Sequence, residues 1–189
     1  MKILKIFFIT TILFSLSANS QITKNNWMMG GNITFSNSVS SPDDNSSSEG
    51  KSNSIDFSPN IGYFIINKLS IGTLYQYIST VSKYEGGKSE YKSSNIGPFV
   101  RYYLLNPEKT ANIFLETSYN FSTMKENNNT VFASKLGAVY FLNSSVGFEL
   151  MFKYSINKYK YNTDLIPNST SKGLTVGLGF QIHLEKEKN

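Results

Sequence analysis

His183 is the single imidazole of this 189-residue chain, and there is no cysteine. A histidine that acts as a general base needs a nucleophile and an orienting group within reach. His183 instead falls at the end of the last patterned segment, so it reads as an ordinary rim or interior histidine. One His and no Cys exclude a multi-histidine metal centre, a thiolate nucleophile and a disulfide framework. Glu116 and Glu149 are the carboxylates to weigh as a hydrolytic pair, but they lie on segments that are not neighbours. The glycines follow the alternation described below rather than forming a phosphate-cradling loop, so neither a metal nor a cofactor is expected, and no catalytic activity.

Two further groups carry charge in a pattern. Asp56, Arg101, Glu116, Lys135, Glu149 and Lys153 all occupy the non-apolar phase of their segments, three acidic against three basic. Enclosed in a narrow interior they could line an ion path, but they suit an internally paired plug better. Lys83, Tyr84, Lys92, Lys158, Lys160 and Lys172 fall near segment ends. They suit contact with anionic lipid headgroups, such as lipopolysaccharide phosphates, or a solubilising rim; the residues alone leave both open.

The elements that must position these groups are strands. Eight segments put large apolar residues on every second position, as in Phe148-Leu150-Phe152-Tyr154 and Leu174-Val176-Leu178-Phe180-Ile182. Period-two patterning with nothing helical between marks half-buried β-strands closing into a sandwich or barrel. The spacing predicts strands over Trp27–Ser38, Ser54–Ile65, Leu69–Lys83, Tyr91–Leu104, Ala111–Thr123, Thr130–Leu142, Ser145–Tyr159 and Ser171–Leu184. Tight turns follow the second, fourth and sixth strands, and longer polar loops the other four. The Ser/Asn/Asp-rich stretch Val39–Asn53 is expected to form no core. Short turns on one rim and long loops on the other fit an up-and-down barrel in an outer membrane.

Three features turn the apolar face outward. The opposite face is rich in Gly and small polar residues, which suit the crowded interior of eight strands. Aromatics gather near both ends of the apolar face: Trp27, Tyr63, Tyr102, Tyr140 and Phe148 towards the short turns, and Phe35, Tyr77, Tyr119, Phe121, Phe132 and Tyr154 towards the loops. Two such girdles suit the two bilayer interfaces. The N-terminus, finally, reads as an export signal. Lys2 and Lys5 precede the apolar run Ile6–Leu16, and Ala18-Asn19-Ser20 offers small residues for cleavage before Gln21. That run is too short for a spanning helix. Loss of the two lysines lowers the formal net charge from +5 to +3, without a basic stripe suited to nucleic acid.

Trp27-Met28-Met29-Gly30-Gly31-Asn32, Ser58-Pro59-Asn60-Ile61-Gly62-Tyr63, Asn95-Ile96-Gly97-Pro98-Phe99-Val100-Arg101-Tyr102-Tyr103 and Gly177-Leu178-Gly179-Phe180-Gln181-Ile182 carry a family resemblance. Over residues 21–184 the chain resembles the eight-stranded outer-membrane β-barrel family, which includes the transmembrane domain of OmpA-type proteins and PorT-like barrels. It departs in ending its last strand on Leu184, where family members commonly carry an aromatic. The expected organisation is a signal peptide (1–20), an all-β antiparallel up-and-down transmembrane barrel of eight strands (21–184) and a charged periplasmic tail (185–189). The expected protein is a monomer of the bacterial outer membrane with a structural or surface-interaction role. Its partners would be outer-membrane lipid and an extracellular or periplasmic protein. The alternatives are a narrow channel for small solutes, then a soluble lipocalin-like binding barrel or a lipid-modifying enzyme.

Overall fold

A computed structural model describes residues 22–40, 50–84, 86–124, 128–160 and 168–184. The proposed signal peptide and charged tail lie outside these residues, as does most of the polar stretch after the first strand. The strands are β1 (Trp27–Ser40), β2 (Gly50–Ile66), β3 (Leu69–Tyr84), β4 (Gly87–Tyr103), β5 (Ala111–Ser122), β6 (Asn128–Phe141), β7 (Val146–Lys160) and β8 (Ser169–Leu184). Each pairs antiparallel with its sequence neighbours, and β8 returns to β1 to close the barrel.

The wall is uneven. β1 pairs with β2 along its whole length, from Trp27↔Tyr63 to Ser40↔Gly50. It pairs with β8 only from Trp27↔Leu184 to Thr34↔Gly177. β5 is the shortest strand, so its ladder with β4 ends at Asn95↔Ser122, beyond which Thr123 N still donates to Ser94 O at 2.9 Å.

The expected alternation of loop lengths holds only in part. The connection after β4 (residues 104–110), expected tight, is longer than the one after β5 (residues 123–127), expected long, and the connection after β3 is short. A longer loop was expected between β3 and β4, but pairing continues through Ser82↔Ser89 and Lys83↔Lys88 to Tyr84↔Gly87. Only two residues then turn the chain. Gly86 adopts φ 122° there, a conformation that side-chain-bearing residues rarely take, so glycine supplies the turn.

The large apolar side chains on the outer phase remain exposed, Phe35 by 65% and Leu174 by 69%. The inner phase is buried. Towards the short turns it holds Met28, Phe64, Phe99, Tyr103, Phe114, Val139, Phe141 and Met151, and Ile22, just before β1, joins them. Backbone bonds fasten this preceding segment beneath the barrel: Asn25 N donates to Phe64 O (2.9 Å) and Lys68 N to Ile22 O (2.8 Å).

Candidate functional site

The six interior charges form two clusters, each electrically neutral. Arg101, on β4, and Glu116, on β5, face each other across the ladder. Arg101 Nε donates to Glu116 Oε2 at 2.7 Å, and Nη2 lies 2.6 Å from the same oxygen. Lys135, the next cross-strand neighbour on β6, donates to Glu116 Oε1 at 2.7 Å. Arg101 Nη1 spans the lumen to Glu149 Oε1 on β7 at 2.5 Å and also donates to Tyr103 Oη at 3.3 Å. Its guanidinium lies 4.2 Å from the centre of the Phe114 ring, a distance suited to cation–π attraction. All four charged side chains are buried, Arg101 and Glu149 completely.

The second cluster lies nearer the loops. Lys153, on β7, donates across the lumen to Asp56 Oδ2 on β2. Ser58 Oγ donates to Asp56 Oδ1 (2.6 Å) and Gln76 Nε2 to Asp56 Oδ2 (2.7 Å). Lys135 and Lys153 stand directly opposite each other on β6 and β7, a like-charge placement that is unfavourable alone. Each turns to a different carboxylate, which relieves it. Two ion pairs therefore brace the barrel across its width, β4 to β7 and β2 to β7.

Below these clusters His183 is 1% exposed. Its ring lies 5.8 Å from Phe64, 6.4 Å from Tyr103 and 5.6 Å from Phe141, centre to centre. It belongs to an aromatic floor at the short-turn end, and neither ring nitrogen has a hydrogen-bond partner among the described residues. Glu116 and Glu149 are brought together only through Arg101. Among the described residues no three His, Asp or Glu side chains gather in a way that could hold a metal ion. This floor is what the sequence reasoning missed. Its signal was the loss of alternation near the short turns, in Tyr63-Phe64-Ile65-Ile66, Ile113-Phe114-Leu115 and Val139-Tyr140-Phe141, where both faces turn apolar.

Above the Asp56–Lys153 pair the interior opens into a polar cavity of 470 Å³. Lys83, Lys92, Lys158, Lys160 and Lys172 lie beyond the apolar band at the same end. By strand parity they project outward with Val81, Ile96, Tyr154 and Leu174, not into the lumen. Tyr84 is 51% exposed at the β3–β4 turn. Glu90 lies among these lysines and accepts from Lys88 Nζ at 2.7 Å. That hydrogen bond and the nearby positive charge hold its carboxyl below the ordinary range.

Apolar residues outside, neutral ion clusters inside and a closed ladder define a barrel of inside-out construction, the arrangement that suits a lipid surround. Its fold is similar to that of the outer membrane protein OprG from Pseudomonas aeruginosa: 12% identity, TM-score 0.55, with 88% of this chain and 99% of that chain covered. A de novo designed transmembrane β-barrel also matches, at 12% identity and TM-score 0.45, over 86% of this chain and 98% of that one. No protein-family model matches the chain, and no curated protein sequence does.

Proposed function

We propose that this protein is a small outer-membrane barrel that anchors a loop-bearing surface, with a lumen that is sealed rather than conducting and no catalytic role. The observation that carries this reading is the inverted facing. A belt of large apolar side chains left in water would forfeit about 25 cal/mol for every Å² exposed, and exposed patches of that extent mark a membrane or partner surface. A charge on the lipid face near the bilayer centre would cost about 2–4 kcal/mol, whereas Asp56, Arg101, Glu116, Lys135, Glu149 and Lys153 all turn inward. The outward lysines at the loop end then lie at headgroup level, where anionic lipid such as lipopolysaccharide is the partner they suit.

The channel alternative draws on the polar cavity, but that cavity ends on the ion clusters and the aromatic floor below them. The test is a gel of isolated outer membranes, boiled against unboiled. A band that shifts on boiling, in the membrane fraction, is the expected result. Unshifted protein in the soluble fraction would overturn the reading.

A further inference from the structure

We propose that the loop-side cavity is a binding site for a neutral saccharide of one or two rings. At 470 Å³ it falls in the size range of small-molecule sites. It lies above the Asp56–Lys153 pair and reaches the surface at Tyr91 and Ser171, both exposed. Among the described residues its charged lining residues are Asp56 and Lys153, already paired with each other, so this wall offers no net charge to a ligand. The rest of the wall is dominated by hydroxyls and amides, groups that both donate and accept, as a polyol requires. Tyr91 and Tyr159 add aromatic surface for the apolar face of a sugar ring.

Two polar atoms in this wall are unanswered. Asn129 is 4% exposed; its Nδ2 donates to Ser93 Oγ at 3.3 Å, and its Oδ1 has no hydrogen-bond partner among the described residues. Thr175 Oγ1, on β8, is likewise buried and unpartnered. Buried polar atoms are ordinarily satisfied. Both residues line the cavity, and a small rotation of either side chain would present its unanswered oxygen to a ligand hydroxyl, which would supply the missing partner.

The test is ligand-observed NMR and calorimetry on the detergent-folded full chain. The probes are glucose, galactose, mannose, maltose and lactose, with glycine, a zwitterion, and glucose 6-phosphate, an anion, as comparators that carry ionised groups. At least one neutral sugar should saturate the protein at millimolar concentration. Asn129→Leu and Thr175→Val should each weaken it about tenfold, the effect of one lost hydrogen bond. The outward Phe152→Leu should leave binding unchanged. A core oligosaccharide released from lipopolysaccharide separates two sources of the same chemistry. If it binds in addition to the free neutral sugars, and more tightly, the ligand is the end of a surface glycan; if only the free sugars bind, it is a solute. No binding by any neutral probe, binding only by an ionised comparator, or affinity untouched in both variants would overturn the proposal. The heat-modified band of the same samples establishes that the barrel is folded, which separates loss of binding from loss of the fold.

Discussion

At the residue scale, Arg101 has the most to lose. It is fully buried and answers two carboxylates on different strands. Arg101→Ala would strand both Glu116 and Glu149, although Lys135 still serves one oxygen of Glu116. Removing one partner of a buried ion pair costs about 3–5 kcal/mol, so urea unfolding should shift by that order. Glu149→Gln keeps an oxygen that can accept from Nη1, so it should cost about 1–3 kcal/mol. Trp27, the sole tryptophan, faces outward at the short-turn rim and reports unfolding of either variant by its emission. Equal stability of wild type and Arg101→Ala would mean that the cluster contributes nothing to holding β4 against β7.

At the element scale, the strands were legible because an apolar outer face and a crowded polar interior impose a strict two-residue period. Phe148 to Tyr154 on β7 shows it without interruption. The strand ends were less legible. Ser89 and Lys88 look like loop residues, yet they pair across the β3–β4 hairpin because Gly86 and Gly87 allow so short a turn. Interior side chains of opposite kinds were hardest to read. Phe99 sits on the phase that elsewhere carries small or polar residues, and it fits only because Gly62 and Gly72 face each other on β2 and β3 beneath its ring. A Cβ on Gly72 would stand 2.7 Å from the Phe99 ring and closer still to the Ile61 carbonyl oxygen. Gly72→Val should therefore abolish the heat-modified band, whereas Thr73→Val, on the outward phase of the same strand, should preserve it. The charged pairs were legible as a set but not as partners, because Glu149 and Lys153 reach across the lumen to strands far away in sequence. The cavity was not legible at all, since scattered serines, threonines and asparagines on seven strands converge only once the ladder closes.

The outward lysines of β7 and β8 make a prediction of their own at this scale. Lys158, Lys160 and Lys172 lie on adjacent strands that pair as Lys158↔Thr170 and Ile156↔Lys172. Exchanging all three for glutamine should reduce association with purified lipopolysaccharide and flatten its dependence on salt, since each basic residue near an anionic surface contributes about 1 kcal/mol. Association unchanged by the triple exchange would make these residues a solubilising rim.

At the scale of the whole molecule, the interior is stratified along the barrel axis, and the layers act in series. An ion entering from the loop side meets the polar cavity first. It next meets the Asp56–Lys153 pair, then the Arg101 cluster, and last the floor of Phe64, Tyr103, Phe114, Phe141 and His183 closed from below by Ile22. The two barriers differ in kind. On the proposed sealed reading, the charged layer blocks by filling the lumen with paired groups that neutralise one another, and the floor blocks by excluding water from packed apolar side chains. Opening one leaves the other in place. Wild type in planar bilayers should thus pass no discrete current, and Arg101→Ala, although destabilised, should stay silent because the floor is intact. Phe64→Ala combined with Tyr103→Ala should also stay silent, since the ion clusters above still fill the lumen. Only a variant carrying all three exchanges should show small, regular current steps. Steps already present in wild type would assign the protein to the narrow-channel class, and steps from Arg101→Ala alone would show that the aromatic floor is no barrier to ions.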